Sequence, residues 1–209
     1  GMLGKGAMSL KSLKKNLFVL SAKMFRWYKD ITFHATQSQE AQDILSKFKS
    51  AKVVIAPNVN SGSARNNSSI KKAKHLKLFY LSRIAQVKNL HFALELLNEI
   101  PAEYTIEYDL FGNLEDEEYW ESCKKIIDRL PSHILVKQKG EILFDEVQDK
   151  IGDYNCLLLP TLNENFGHSI VESLLCGCPV IISDQTPWND LEKEGAGYAI
   201  DLKNRQKFT

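Results

Sequence analysis

The chain has 209 residues, 44% hydrophobic and 25% charged, with 27 basic against 26 acidic side chains; it can bury a core without staples, and its net charge gives no ground for a nucleic-acid partner. No run of about 18 apolar residues is present to span a bilayer, and no h-region ending at a small-residue cleavage site opens the chain. The four cysteines, Cys123, Cys156, Cys176 and Cys178, are too few and too late for a disulfide framework, so a reduced, cytoplasmic location is expected.

Charge is unevenly placed: residues 1–30 hold seven of the basic side chains and one acid, Asp30. In the same stretch Leu10, Leu13, Leu17, Leu20, Met24, Trp27 and Ile31 recur at spacings of three and four, the mark of a helix with one apolar stripe. Two readings fit it. Residues 10–31 could lie on an anionic membrane, giving peripheral contact at the inner face. Alternatively the stripe covers an apolar surface of this or another domain. An apolar run, Ile31 to Ala35, comes next. A polar helix over 38–49 follows, with Ser38 as N-cap and Glu40 and Asp43 in its first turns. Val53–Ala56 reads as a strand stopped by Pro57-Asn58, and residues 60–75 are small, polar and aperiodic, a linker or loop. Strands within 31–56 have few sheet partners in this chain. The expectation is therefore a homodimer, or an N-terminal segment repacked on the following domain.

From Leu76 the pattern becomes regular. Strands are expected at 76–81, 105–111, 134–137, 156–159, 180–183 and 198–200. Helices are expected at 89–99, 115–129, 144–151, 168–176 and 188–193. This alternation implies an α/β fold, a Rossmann-like parallel sheet with helices on both faces. Such sheets bind ligands beyond the carboxyl ends of their strands. Attention falls on loops 82–88, 112–114, 138–143, 160–167 and 184–187.

The richest loop runs from Pro160 through Asn163-Glu164-Asn165-Phe166-Gly167-His168 into the helix that begins at Ser169. Gly167 lets a ligand approach the backbone, and the N–H groups of the helix start make an anion site. Glu164 and Glu172 stand eight residues apart, so one carboxylate can meet the near end of a ligand and the other its far end. Carboxylates beside a phosphate site accept hydrogen bonds from sugar hydroxyls. Loop 82–88 carries two cations, Arg83 and Lys88, at the end of the first regular strand. A forked guanidinium and a point charge can clamp a diphosphate. Other candidates are weaker. Cys176-Gly177-Cys178 has no second ligand pair for a metal, the histidines are scattered except His168, and Trp188 starts a helix with its ring in the core. No GxGxxG, P-loop or Asp-x-Asp is present.

Glu164-Asn165-Phe166-Gly167 through Glu172, followed by Cys176-Gly177-Cys178-Pro179-Val180-Ile181, resembles the E-x7-E signature of the group-1 glycosyltransferases, retaining enzymes of family 4. Ser82-Arg83 with Lys88-Asn89 is similar to that family's G-R-x4-K-N phosphate loop, with Ser82 replacing the usual glycine. Phe33-His34-Ala35-Thr36, Ile55-Ala56-Pro57-Asn58 and Gly1-Met2-Leu3 resemble segments of its first domain. The resemblance implies the second domain of a GT-B fold over 76–209, a linker over 59–75, and the closing stretch of the first, acceptor-side domain over 1–58. Most of that first domain and the family's last helix would lie outside these residues. The implied reaction is sugar transfer, with retention, from a nucleoside diphosphate sugar to a carbohydrate or glycolipid acceptor, in cell-surface polysaccharide or glycolipid synthesis. Arg83, Lys88 and Glu164 would be catalytic: the two cations stabilise the diphosphate and Glu164 binds donor hydroxyls. Glu172 would take the ribose. Ser82, Asn165, Phe166, Gly167, His168 and Ser169 would line the donor site, and Gly140, Glu141 and Ile142 would meet the base. No cofactor and no metal is expected. The alternatives are a nucleotide-sugar-binding module without turnover, or a sugar-nucleotide epimerase of the same architecture.

Overall fold

The structure, a computed structural model, describes residues 12–56 and 74–208. The Gly1-Met2-Leu3 resemblance, Leu10, the Pro57-Asn58 stop and most of the expected linker lie outside them. The chain falls into two compact units, one on each side of residue 60.

The first unit holds α1 (Ser12–Met24), β1 (Thr32–Ala35), α2 (Ser38–Lys47) and β2 (Lys52–Ile55). β1 and β2 pair in parallel as a two-stranded sheet, with Thr32 opposite Lys52. The helix α1 ends before Trp27 and Ile31. Its sequence stripe faces outward: Leu13, Leu17, Leu20 and Met24 are exposed, whereas Val19 and Ala22 are buried. Within the first unit the stripe is left uncovered. Ser38 is inside α2, and Gln37 is the N-cap, with no side-chain cap bond. Glu40 reaches back instead, accepting from Thr36 N–H at 2.9 Å and Thr36 Oγ1 at 2.8 Å. Phe33 stacks on Phe48 while Tyr28 meets both rings at an angle, and Ala35, Ala41 and Ile44 form the small core.

The second unit contains β3 (His75–Leu81), α3 (Leu90–Leu97), β4 (Thr105–Phe111), α4 (Glu117–Ile127) and β5 (Ile134–Gly140). It continues with α5 (Phe144–Ile151), β6 (Cys156–Leu159), α6 (His168–Leu175), β7 (Val180–Ser183) and β8 (Gly197–Ile200). All six strands are parallel, in the order β5-β4-β3-β6-β7-β8. α3 packs on α4, and α5 on α6. Right-handed crossovers put those pairs on opposite faces. Burial on both faces explains the continuous apolar strands, such as the wholly buried Cys156-Leu157-Leu158-Leu159 of β6. The four cysteines are buried and in no disulfide, and burial pushes the Cys123 thiol up to about 11, so its role is packing.

Two expectations change here. β5 runs on through Gln138 and Lys139 to Gly140, with a register shift where Phe111 pairs with Gly140, so loop 138–143 shrinks to 141–143. The helix expected at 188–193 is absent. Trp188 donates from its N–H to Thr186 Oγ1 at 3.1 Å and from Nε1 to the Phe166 carbonyl at 2.5 Å. The chain pinned there makes turns and bends back into β8.

Candidate active site

Strand order reverses between β3 and β6. Successive strands run one way from β3 to β5 and the other way from β6 to β8, which opens a crevice beyond the carboxyl ends of these neighbours. Loops 82–89 and 160–167 both enter it, and they are stitched together. Leu162 N–H donates to the Val87 carbonyl at 2.8 Å, Thr161 Oγ1 donates to the same carbonyl at 3.0 Å, and Asn89 Nδ2 donates to the Pro160 carbonyl at 3.0 Å. From the next strand, Ser183 Oγ donates to the Thr161 carbonyl, and Glu164 N–H donates to the Gln185 carbonyl at 3.0 Å.

The crossing loops bring Lys88 and Glu164 together. Lys88 Nζ lies 2.5 Å from Glu164 Oε2, with the side chains 10% and 16% exposed. Lys88 ends a single 3₁₀ turn, Gln86–Lys88, and Asn89 takes the left-handed conformation (φ 57°) that turns the chain into α3. Arg83 pairs with Glu115 of the loop after β4, and both side chains are half exposed. Gly167, at φ 82°, opens α6; a Cβ there would stand 2.6 Å from Ile170 Cδ1. His168 and Ser169 occupy the positive end of the α6 dipole. Glu172 sits one turn further in, half-buried, with no hydrogen bond or ion pair to its carboxylate among the described residues. Burial pushes its pKa above the ordinary carboxyl value, and His168 opposes this.

Ser82, Arg83, Lys88, Glu164–Ser169 and Glu172 therefore meet at the strand-order reversal. Gly140, Glu141 and Ile142 do not join them directly. Gly140 ends the edge strand β5 and Glu141 and Ile142 follow it, with β4 between β5 and β3, and Ile142 packs on the core. The Gly112 N–H donates to the Gly140 carbonyl at 2.8 Å, which ties that edge to the loop holding Glu115. Sequence reasoning quoted Asn89 only within the phosphate-loop motif, and it gave no site role to Glu115, Thr161 or the Trp188 indole, which donates to the Phe166 carbonyl. A separate polar groove of about 400 Å³ lies against mid-strand residues Glu107 and Asp109, bordered by Lys77, Lys139, Asp153 and Tyr154, and holds none of the expected site residues.

The sequence model of a family described as glycosyl transferases group 1 matches residues 63–209, and the chain belongs to that family. No curated protein matches it. Among solved structures it is similar to Anabaena Alr3699/HepE in complex with UDP and glucose, at 17% identity and TM-score 0.69, over 100% of this chain and 58% of that one. It is similar to the lipopolysaccharide outer core galactosyltransferase WaaB in its apo form, at 22% identity and TM-score 0.64, over 84% and 50%. A third is the pneumococcal O-GlcNAc transferase GtfA in complex with UDP and GlcNAc, at 18% identity and TM-score 0.60, over 85% and 36%. These likenesses establish a Rossmann-like α/β fold that matches GT-B glycosyltransferase domains. The chain spans 36% to 58% of the length of those three structures.

Proposed function

We propose that residues 76–209 are the donor-binding half of a retaining, family 4 glycosyltransferase, with 1–58 the closing stretch of the acceptor-side domain and 59–75 a linker. The observation that carries this reading is the meeting of Lys88 and Glu164 across the strand-order reversal, with the α6 N-terminus beside them. A nucleoside diphosphate sugar uses each group. Its diphosphate draws Lys88 off Glu164 and engages Arg83 and the start of α6. Glu164, released, accepts hydrogen bonds from donor-sugar hydroxyls. Glu172 accepts from the ribose hydroxyls, while Asn165, Phe166 and Gly167 line the sugar pocket and residues 140–142 meet the base through main-chain groups. As the bond between the anomeric carbon and the phosphate oxygen breaks, its electron pair moves onto the diphosphate, and an acceptor hydroxyl oxygen bonds to that carbon while its proton passes to the departing diphosphate. Positive groups fixed in place there stabilise the developing charge, which is often the largest catalytic contribution. Two side-chain cations and a helix end supply that charge, so the reaction is read as metal-independent.

HepE and the pneumococcal transferase were solved with UDP and a sugar, which makes UDP the first nucleotide to try. Calorimetric titration with UDP, GDP and ADP tests the reading. One nucleotide is expected to bind, unaffected by a chelator, and to lose affinity in Glu172→Ala. No binding to any of them counts against the site. For the first unit, the exposed stripe of α1 beside Lys14, Lys15 and Lys23 supports peripheral contact with anionic lipid. Co-sedimentation with anionic vesicles, and none with neutral ones, is the expected result; no difference between them rules that contact out.

A further inference from the structure

We propose that Glu115 is a latch on the donor site: its carboxylate holds the Arg83 guanidinium in the ligand-free protein and is displaced by the diphosphate of an incoming donor. The inference rests on the donor-site reading above. Backbone bonds fix the two loops face to face. Ser82 N–H donates to the Phe111 carbonyl at 3.0 Å, Ile84 N–H to the Asn113 carbonyl at 2.8 Å, and Glu115 N–H to the Ile84 carbonyl at 3.2 Å. Gly112 permits this closeness, since a Cβ there would stand 1.9 Å from the Ser82 carbonyl oxygen. The side chains of Arg83 and Glu115 are thus paired by loops that cannot easily part.

Both cations of the site are therefore capped by carboxylates, Arg83 by Glu115 and Lys88 by Glu164. A ligand must bring enough negative charge to exchange both pairs. That favours a diphosphate over a monophosphate. The two caps differ once they are released. Glu164 has sugar hydroxyls to accept from, whereas Glu115 has no part in donor binding and opposes it. Neutralising Glu115 should then strengthen binding without removing a donor contact.

The pair is half exposed, so the gain is small: about two- to fivefold tighter binding, shrinking as salt screens the pair. The test is calorimetry of the whole chain with UDP, GDP and ADP, comparing the parent with Glu115→Gln and Glu115→Ala. Both variants are expected to bind the preferred nucleotide more tightly and to melt near the parent temperature. In an Arg83→Ala background the gain should vanish, because the latch acts only through Arg83. A parent that binds while both variants bind equally or more weakly overturns the latch and leaves the donor site standing. If neither parent nor variants bind any of the three, the donor-site reading fails and the latch with it.

Discussion

If Glu172 takes the ribose as proposed, it trades stability for binding. Burial raises its folded pKa above the unfolded value, so the native state favours the protonated acid. The stability this adds is present at low pH and is lost as pH rises through the folded pKa. Wherever it is ionised, Glu172 is a half-buried charge whose carboxylate has no hydrogen bond or ion pair among the described residues. Glu172→Gln keeps the shape and removes the charge. The ligand-free variant should melt higher than the parent at pH 7, and the advantage should narrow toward about pH 4. Its nucleotide affinity should fall about tenfold or more, as for a lost hydrogen bond to a charged group. Paired melting and titration curves check both halves. Lys88 behaves differently because its charge is matched. Lys88→Met leaves Glu164 nearly buried without its cation and should cost about 2–4 kcal/mol in urea unfolding. Adding Glu164→Gln should recover most of that loss while binding stays abolished. A double variant no more stable than Lys88→Met would show that the pair is not the cause.

At the scale of elements, strands were legible where burial writes itself into composition. β4, β6 and β7 have the expected limits, stopping before Gly112, Pro160 and Asp184. The helix expected at 188–193 shows the limit of pattern: an apolar and charged alternation is overruled when Thr186 and the Phe166 carbonyl tie down Trp188. The candidate site divides along the same line. Arg83, Lys88 and Glu164 could be picked out because each lies in a loop after a strand, and Glu172 because it stands eight residues from Glu164. Glu115 could not, since its pairing depends on β4 lying beside β3. Nor does the sequence state that β6 lies on the other side of β3, which is what joins Lys88 to Glu164. Local geometry at α6 is equally tight. Gly167→Ala meets both a positive φ and Ile170 Cδ1, and should cost about 1–3 kcal/mol and weaken nucleotide binding. Ile170→Val in the same chain removes the offending methyl and should return part of the melting temperature. Failure to do so would assign the whole cost to the backbone.

Across the molecule, the two units differ in what holds them. The second has a six-stranded sheet and a core reaching from Leu78 to Leu191, whereas the first has a two-stranded sheet over Ala35, Ala41 and Ile44. Two paired strands with little apolar burial are marginal alone, so the first unit should open at lower free energy than the second. Amides of 32–55 should exchange hydrogen well before those of β3, β4 and β6, and should lose protection first as urea rises. All the proposed donor contacts lie in the second unit. A ligand binding only that folded unit stabilises it by mass action, by about 2.7 kcal/mol at a concentration a hundredfold above Kd. Exchange measured with saturating UDP, if UDP is the nucleotide that binds, should therefore slow at 82–89 and 160–175 and leave 32–55 unchanged. Equal slowing in both units would mean that they unfold together, and that donor binding is shared with the first unit instead of being confined to the crevice between β3 and β6.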